Sequence, residues 1–258
     1  GAEFDDDHTI RIAGGSLIAD VFPIGVDVEG ISRLAEEGIE HKQVQKLETS
    51  LGGRDLIIGV DRLDYSKGLR QRFLAYERLL EKYPNSQRLV TYMQIAPPTR
   101  TGVRTYDEIR AELEQVSGRI NGRFSETDWV PIRYLNKGVA RKPLMGMFRK
   151  AAVGLVTPVR DGMNLVAKEY LVAQDPEDPG VLVLSTLAGA ARELDAAVIV
   201  NPHDRDDVAD GIATAINMPL EERRTRHARM LEILKANDIN AWRTRFVDAL
   251  LRQSGAAH

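Results

Sequence analysis

The stretch VGLVTPVRDGMNLVAKEY, residues 153–170, indicates the fold class most clearly, because it has the pattern of a buried strand that passes through a short turn into a helix. Its first part, 153–158, is a continuous apolar run typical of a strand inside a parallel sheet. From Met163 onward, apolar residues recur with roughly helical spacing. The first N–H groups of such a helix have no partner within the helix and carry the positive end of its dipole, so the turn predicts an anion site.

Three residues around this turn have two interpretations. Gly162 would let a ligand approach the backbone closely. Glu169 lies four residues beyond Leu165 on the same helix face, where its carboxylate could accept hydrogen bonds from sugar hydroxyls. In the simpler interpretation, Asp161 caps the helix and Glu169 pairs with a nearby cation. Because caps are far commoner than ligand sites, the local sequence alone favours the simpler interpretation.

Along the rest of the chain, apolar runs alternate with amphipathic helical patterns. The runs lie at 56–61, 88–95, 129–135, 152–158, 180–185 and 197–201, and the helical patterns lie near 68–83, 103–121, 141–149, 163–174 and 205–217. This alternation predicts an α/β fold, a doubly wound parallel sheet in a single Rossmann-like domain. Ligands of such sheets bind beyond the carboxyl ends of the strands. No G-x-G-x-x-G follows any of the runs, which disfavours a conventional dinucleotide site.

Composition argues against several classes of function. With 258 residues, 43% of them hydrophobic, and a net charge of −3, the chain can bury a real core but offers no broad surface for nucleic acid or anionic membrane. It has no cysteine and its five histidines show no ligand spacing, so we expect neither a metal nor another cofactor. No apolar stretch approaches the roughly 20 residues of a membrane span, and no signal pattern begins the sequence. We therefore expect a cytoplasmic protein without nucleic-acid or membrane partners.

The turn after the first core strand, DRLDYSKGLRQRF at 61–73, carries two cations, Arg62 and Lys67. Cations at one strand exit can share a polyanion, because the arginine fork suits bidentate phosphate contact and lysine supplies a mobile point charge. Alternatively, they are exposed charges flanking Asp64. For this turn in isolation, the alternative is favoured.

A third cation, Arg100, follows the second core strand in APPTRTG, residues 96–102. The two prolines hold the backbone extended, although an arginine in this position is most often a surface residue. The combination favours function, because all three cations and the turn at 161–165 lie at carboxyl ends of strands, where one cleft is expected. Three basic side chains and a helix N-terminus indicate two phosphate-bearing groups.

Several long motifs match one known family. They are RLDYSKGL (62–69), APPTR (96–100), GRINGRF (118–124), TPVRDGMNLVAKEY (157–170) and PGVLVLS (179–185). In this order they closely resemble the C-terminal half of the retaining trehalose-6-phosphate synthase family, whose members are glycosyltransferases of the two-domain GT-B fold. The resemblance runs from about Val21 to the end of the sequence.

The resemblance implies a role for each residue singled out above. Arg62 and Lys67 would hold the diphosphate of the donor, UDP-glucose, and Asp161 would touch the transferred glucose, which makes these three the catalytic residues. Glu169 would bind the ribose. Arg100 would contact the phosphate of the acceptor, glucose 6-phosphate. The backbone N–H groups around the donor would come from Gly162, Met163, Asn164, Leu165 and Val166.

The resemblance also implies that the chain is half of an enzyme. Residues 1–23 are expected to hold an expression remnant or frayed end and then the final strand and hinge of a missing N-terminal domain. Residues 24–236 would form the Rossmann-like UDP-glucose-binding domain, and 237–258 a crossover helix and tail after a break at 237–238. Because the missing domain carries most acceptor contacts, we expect the isolated chain to be inactive. Both ends would expose apolar surface.

The implied reaction moves glucose from UDP-glucose to the anomeric hydroxyl of glucose 6-phosphate with retention at the donor carbon, by front-face attack. Negative charge on the leaving diphosphate must then be stabilised, which cations and helix amides can do without a metal. Two alternatives stay open: a non-catalytic nucleotide-sugar binding or regulatory module, and a related transferase or pseudo-glycosyltransferase with another acceptor or donor. The sequence leaves open the acceptor, the preference for UDP over GDP or ADP, and whether the intact protein is an oligomer.

Overall fold

A computed structural model of the chain describes residues 3–4, 9–12, 15–84, 90–98 and 104–255. The strands in these ranges are β1 (Glu3–Phe4), β2 (Thr9–Ile12), β3 (Gly15–Ile18), β4 (Asp55–Val60), β5 (Val90–Ile95), β6 (Ile132–Leu135), β7 (Val153–Val156), β8 (Val181–Ser185) and β9 (Val198–Val200). The α-helices are α1 (Val28–Gly38), α2 (Lys42–Leu51), α3 (Leu69–Lys82), α4 (Arg104–Phe124), α5 (Arg141–Lys150), α6 (Leu165–Ala173), α7 (Arg205–Ile216), α8 (Leu220–Ala236) and α9 (Ile239–Gly255). Short 3-10 helices lie at Tyr65–Lys67 and Gly189–Arg192.

The six strands predicted from sequence form one parallel sheet with the order β6-β5-β4-β7-β8-β9. This is the strand order of the doubly wound dinucleotide-binding fold, so the predicted fold class is confirmed. The order reverses between β4 and β7, which pair through Ile57 with Val153 and Ile58 with Gly154. Ligands of such sheets bind in the crevice at this switch point, and the loops after β4 and β7 border it.

The strands are continuously apolar because the sheet has a core on each face. Ile58 of β4 packs in the core that includes α1, α5 and α6, whereas its neighbour Ile57 packs in the core that includes α3 and α7. Burying an aliphatic side chain of this size contributes about 1.5–3 kcal/mol to folding. A side chain at Gly154 of β7 would meet the Tyr170 ring of α6 at 2.6 Å, so glycine allows α6 to lie directly on the strand that precedes it.

Two helices that the sequence analysis did not single out, α1 and α2, precede β4. Asp27 caps α1 by accepting a hydrogen bond of 2.9 Å from the N–H of Gly30. Helix α1 packs against α5 and α6, and it contributes Ile31 and Ala35 to the core. These helices therefore complete the layer that covers one face of the sheet.

The first residues of the chain differ from the prediction. Residues 9–23 were expected to hold the final strand and hinge of the missing domain, but β2 and β3 within them pair as an antiparallel hairpin, and β1 pairs with β2 at a place where a frayed end was expected. Polar and apolar residues alternate in TIRI, residues 9–12, which is typical of a strand. Its pairing with β1 and β3 depends on tertiary contacts that this pattern does not specify. The remaining domain boundaries, at 23–24 and 236–237, stay predictions.

The last helix packs on the segment that leads into α1. Helix α9 begins after the break expected at 237–238, and its Trp242 donates a hydrogen bond of 3.0 Å from Nε1 to the carbonyl oxygen of Phe22. The rings of Phe22 and Phe246 lie edge to face, 5.2 Å apart. Beside this contact, Val21 and Leu251 stay exposed, as expected of an apolar surface at the chain ends. Among the described helices, none is long and apolar enough to cross a membrane.

Candidate functional site

The loop after β4 is held against the exit of β7. Asp64 caps the 3-10 helix by accepting hydrogen bonds of 2.9 Å from the backbone N–H and the hydroxyl of Ser66. Gly68 follows with a φ of 63°, and a Cβ there would meet the carbonyl oxygen of Thr157 at 3.0 Å. In return, the carbonyl oxygen of Ser66 accepts a hydrogen bond of 3.0 Å from the N–H of Val159. The two loops that border the switch point are therefore joined through their backbones.

Lys67 and Asp161 meet across the switch point. The Lys67 Nζ lies 2.5 Å from the Asp161 Oδ2, and the two side chains are only 15% and 14% exposed. Arg62 lies on the same turn as Lys67 but is exposed. Partial burial acts to raise the pKa of the Asp64 carboxyl, but hydrogen bonds from Ser66 and the charges of both cations hold this pKa below its ordinary value. The alternative of two exposed charges flanking Asp64 therefore fits Arg62 and not Lys67.

Helix α6 begins at Leu165, two residues later than the sequence pattern indicates. Its cap is Asn164, which has a φ of 76° and accepts a hydrogen bond of 3.2 Å from the N–H of Ala167. The alternative in which Asp161 caps the helix is therefore wrong, and the Asp161 carboxylate instead accepts a hydrogen bond of 3.0 Å from the side-chain amide of Asn164. Asparagine is among the few residues that tolerate a left-handed backbone, which explains its place here.

The N-terminal end of α6 has the shape that an anion site requires. The N–H groups of Leu165 and Val166 belong to the first turn of the helix, where no intrahelical acceptor exists. Gly162 is exposed, and a Cβ placed on it would meet nothing within 4 Å. Met163 lies between these groups and is half-buried. An anion can therefore reach the backbone here, close to the Lys67 ammonium.

Glu169 lies in the second turn of α6 and pairs with Arg141 of α5. The Arg141 Nη2 is 3.1 Å from the Glu169 Oε1, and the side chains are 57% and 17% exposed, respectively. Burial raises the pKa of the Glu169 carboxyl, and the Arg141 guanidinium opposes that rise. The simpler interpretation of Glu169, a pair with a nearby cation, is thus what the structure shows. The Glu169 side chain is largely buried, whereas its partner Arg141 is exposed.

The predicted acceptor-phosphate residue, Arg100, lies outside the described residues. The described backbone before it, up to Pro98, leads out of β5 beside the loop after β4. The N–H of Leu63 donates a hydrogen bond of 3.1 Å to the carbonyl oxygen of Pro97. The loops after β4, β5 and β7 therefore leave the same edge of the sheet, as the prediction of one cleft requires.

Arg72 of α3, which was not predicted as a site residue, organises this edge. Its side chain is fully buried, and the residue is 1% exposed, although arginine is rarely buried completely. It ion-pairs with Asp61 at the end of β4, with 2.5 Å between Nη1 and Oδ2. Burial raises the pKa of the Asp61 carboxyl, and the Arg72 guanidinium opposes that rise. The sequence does indicate that Arg72 is buried. It lies three residues after the apolar Leu69 and four before Tyr76, on the buried face of the helix.

The opposite edge of the sheet carries a cavity of about 400 Å³. It lies at the amino ends of the strands, and its lining includes Asp55, Arg149 and Arg223. Arg223 already pairs with Asp178 at 2.7 Å, and Arg149 donates a hydrogen bond of 3.1 Å to the carbonyl oxygen of Gln174. Both edges therefore carry cations that already have local partners, and the carboxyl edge is the better candidate for an anion because the strand order reverses there. Within the described ranges, no cluster of three or more histidine, aspartate or glutamate residues could hold a metal ion.

Comparisons with known proteins agree with the geometry. The family model described as glycosyltransferase family 20 matches residues 1–252. A trehalose-6-phosphate synthase from Klebsiella pneumoniae is 53% identical over 244 residues, which are 95% of this chain and 51% of that protein. A similar protein from Enterobacter is 52% identical over 93% of this chain and 50% of its own length. The chain therefore spans about half the length of the curated relatives it matches.

Solved structures show the same architecture. An α,α-trehalose-phosphate synthase from Burkholderia xenovorans in complex with glucose-6-phosphate superposes with a TM-score of 0.95 at 52% identity, and the match covers 97% of this chain and 56% of that one. An Escherichia coli structure bound with UDP-2-fluoro glucose gives a TM-score of 0.93 at 48% identity, over 97% and 55% of the two chains. The resemblance stated from the motifs is confirmed, and the chain belongs to glycosyltransferase family 20.

Proposed function

We propose that this chain is the donor-binding half of a retaining glucosyltransferase that transfers glucose from UDP-glucose to glucose 6-phosphate. The observation that carries the proposal is the Lys67–Asp161 pair, which lies at the switch point beside the N-terminus of α6. The family match supports it, as do similar solved structures bound to glucose-6-phosphate and to UDP-2-fluoro glucose.

In this proposal, the donor diphosphate binds between the loop after β4 and the start of α6. Lys67 and Arg62 contact its oxygens, as do the N–H groups from Gly162 to Val166, of which those of Leu165 and Val166 carry the positive end of the helix dipole. Charge-assisted contacts of this kind are worth roughly 1.5–3 kcal/mol each. They stabilise the negative charge that develops on the diphosphate as the bond to glucose breaks. These cations and amides therefore promote departure of the leaving group.

In this proposal, Asp161 contacts the transferred glucose. Its carboxylate touches Lys67, so a sugar that contacts the carboxylate lies next to the diphosphate to which it is bonded. Glu169 lies four residues beyond the start of α6, which is about 6 Å along the helix axis. That spacing resembles the separation between a diphosphate and the ribose hydroxyls of the same nucleotide. In this proposal, Glu169 therefore binds the ribose, and its ion pair with Arg141 breaks.

The acceptor, glucose 6-phosphate, would approach the donor from the open side of the crevice, with Arg100 contacting its phosphate. The other contacts to the acceptor would come from the part corresponding to the half of the relatives that this chain does not match. On its own, the chain would then bind the donor and not turn it over.

Calorimetric titration with UDP, UDP-glucose, uridine, GDP and ADP tests the donor assignment. We expect UDP and UDP-glucose to bind, and uridine to bind much more weakly because it lacks the diphosphate. Absence of binding by both UDP and UDP-glucose would overturn the proposal. Tighter binding of GDP or ADP would reassign the donor.

A chimera tests the reaction itself. The matching C-terminal half of the Klebsiella pneumoniae synthase, which is 53% identical, is replaced by this chain. We expect UDP release from UDP-glucose that depends on glucose 6-phosphate. A chimera that binds UDP-glucose but releases no UDP would identify the chain as a binding module instead, and release that depends on another sugar would reassign the acceptor.

A further inference from the structure

We propose that Arg72 is a positioning residue for the diphosphate pocket, one that fixes the distance between the loop carrying Lys67 and the strand exit leading to Asp161. The inference rests on the proposed function of this site. Arg72 is 1% exposed, so it acts on the ligand only through the groups that it holds.

The Arg72 guanidinium joins four segments of the chain. Its Nε donates a hydrogen bond of 2.9 Å to Thr157 at the exit of β7, and its Nη1 donates bonds of 2.5 Å to Asp61 and 2.9 Å to Gln94 of β5. Its Nη2 donates a bond of 3.3 Å to the backbone carbonyl oxygen of Lys67. A single planar group thus connects both sides of the switch point and the backbone of the lysine assigned to the diphosphate.

The sheet leaves space for this group. A Cβ at Gly59 of β4 would meet the Gln94 Oε1 at 2.4 Å and the Arg72 Nη1 at 3.0 Å. Glycine is therefore required at this position of the strand if the guanidinium is to reach its partners. The geometry also requires the arginine fork, because a lysine ammonium cannot direct its donors at four groups spread around a plane.

Positioning matters here because the site works through short charged contacts. Lys67 and Asp161 meet at 2.5 Å, so a shift of either loop changes the place where a phosphate oxygen can bind. Misplacement of a binding group by about 1 Å can reduce catalysis by about a hundred-fold. A buried arginine whose charge is already matched by Asp61 adds rigidity without adding free positive charge to the pocket.

A role limited to stability predicts a different result from a positioning role. Removal of Arg72 alone leaves Asp61 buried without its cation, which lowers stability whatever the function of the site. The double variant Arg72→Met/Asp61→Leu removes both charges and thus relieves that penalty. The milder variant Thr157→Val removes only the bond from Nε and keeps the ion pair. Arg78→Met, on the exposed face of α3, is the matched control.

The experiment measures melting temperature and the dissociation constants of UDP and uridine for the wild type and these variants. We expect the double variant to keep a melting temperature near that of the wild type, to bind UDP about ten-fold more weakly, and to bind uridine equally well. Thr157→Val should weaken UDP binding about three-fold, again without an effect on uridine. Arg78→Met should leave both affinities unchanged.

The inference is overturned if the double variant has both the melting temperature and the UDP affinity of the wild type. It is also overturned if the affinity for uridine falls as much as the affinity for UDP. If the double variant does not fold, Thr157→Val decides: an unchanged ratio of UDP to uridine affinity overturns the inference, and a reduced ratio supports it. A wild type that binds no UDP overturns the proposed function, and the inference with it.

Discussion

The Lys67 ammonium and the Asp161 carboxylate form a nearly buried ion pair at 2.5 Å, although the two residues are on loops that leave different strands of the sheet. In the proposed site, a donor diphosphate would therefore have to compete with Asp161 for the charge of Lys67. The pair holds the lysine in the crevice, and breaking the pair is an energetic cost of binding a ligand there.

Substitution Asp161→Asn should release Lys67 for phosphate contact while keeping the hydrogen bond to Asn164. We expect UDP affinity to rise a few-fold, because a nearly buried pair no longer competes for the ammonium. UDP-glucose should gain less than UDP, since its glucose loses a charged contact. Calorimetry with both ligands checks this. An equal gain in affinity for UDP and UDP-glucose would show that Asp161 does not contact the glucose.

Alanine substitutions of Lys67 and Arg62 should differ in their effect on stability but not in their effect on binding. Each should weaken UDP binding by about ten-fold or more and leave uridine nearly unaffected. Lys67→Ala should also lower the melting temperature because it leaves the Asp161 carboxylate nearly buried and without its cation. Arg62→Ala should not, because Arg62 is exposed. If uridine weakened as much as UDP, both residues would be structural.

Glu169→Gln keeps the size of the side chain and removes its charge. We expect UDP affinity to fall while the melting temperature stays nearly unchanged, because the partner that loses its pair, Arg141, is 57% exposed and remains in water. The wild type should bind 2′,3′-dideoxy-UDP weakly, because this ligand lacks the ribose hydroxyls. Glu169→Gln should bind it nearly as well as the wild type does.

The matched control for Glu169 is Arg141→Ala, which removes the pair from the other side. It should leave UDP affinity equal to or above that of the wild type, because it frees the carboxylate. Equal, large losses of UDP and dideoxy-UDP affinity in Glu169→Gln would exclude a ribose contact.

His227 of α8 should make stability depend on pH. It is 3% exposed and lies 3.0 Å from the carbonyl oxygen of Leu171, and burial lowers its pKa below the ordinary value of 6.5. The unfolded chain therefore takes up a proton that the folded chain resists, so stability is full above about pH 6.5 and is lost as the pH falls below it. Thermal melts of the wild type and His227→Gln between pH 8 and 5 measure this, and an equal pH slope in both would contradict it.

The fold follows from the sequence because the six strands of the parallel sheet are apolar runs and most connections between them are helical patterns, so that the alternation indicates a parallel sheet. The start of α6 was less predictable. Its position depends on the left-handed backbone of Asn164, and periodicity of apolar residues carries no information on φ. The hairpin at 9–18 was missed for a related reason, since its pairing depends on contacts that one strand pattern does not specify.

The candidate site was predictable in its position and less so in its contacts. The strand exits that carry Lys67 and Asp161 are visible in the sequence, and the switch point joins them. Their ion pair, however, joins residues 94 positions apart. The same holds for Arg72 and Thr157, which are separated by 85 positions, and such pairs require the folded sheet.

A crystal structure of this chain with UDP would show directly whether the diphosphate binds at the switch point. The account predicts the diphosphate in the crevice between β4 and β7, with its oxygens about 2.7–3.2 Å from the Lys67 Nζ and from the N–H groups at the start of α6. It also predicts that the Glu169 carboxylate contacts the ribose hydroxyls. UDP bound elsewhere, for example in the cavity beside Asp55 and Arg223 at the opposite edge of the sheet, with the Lys67–Asp161 pair unchanged, would contradict the account.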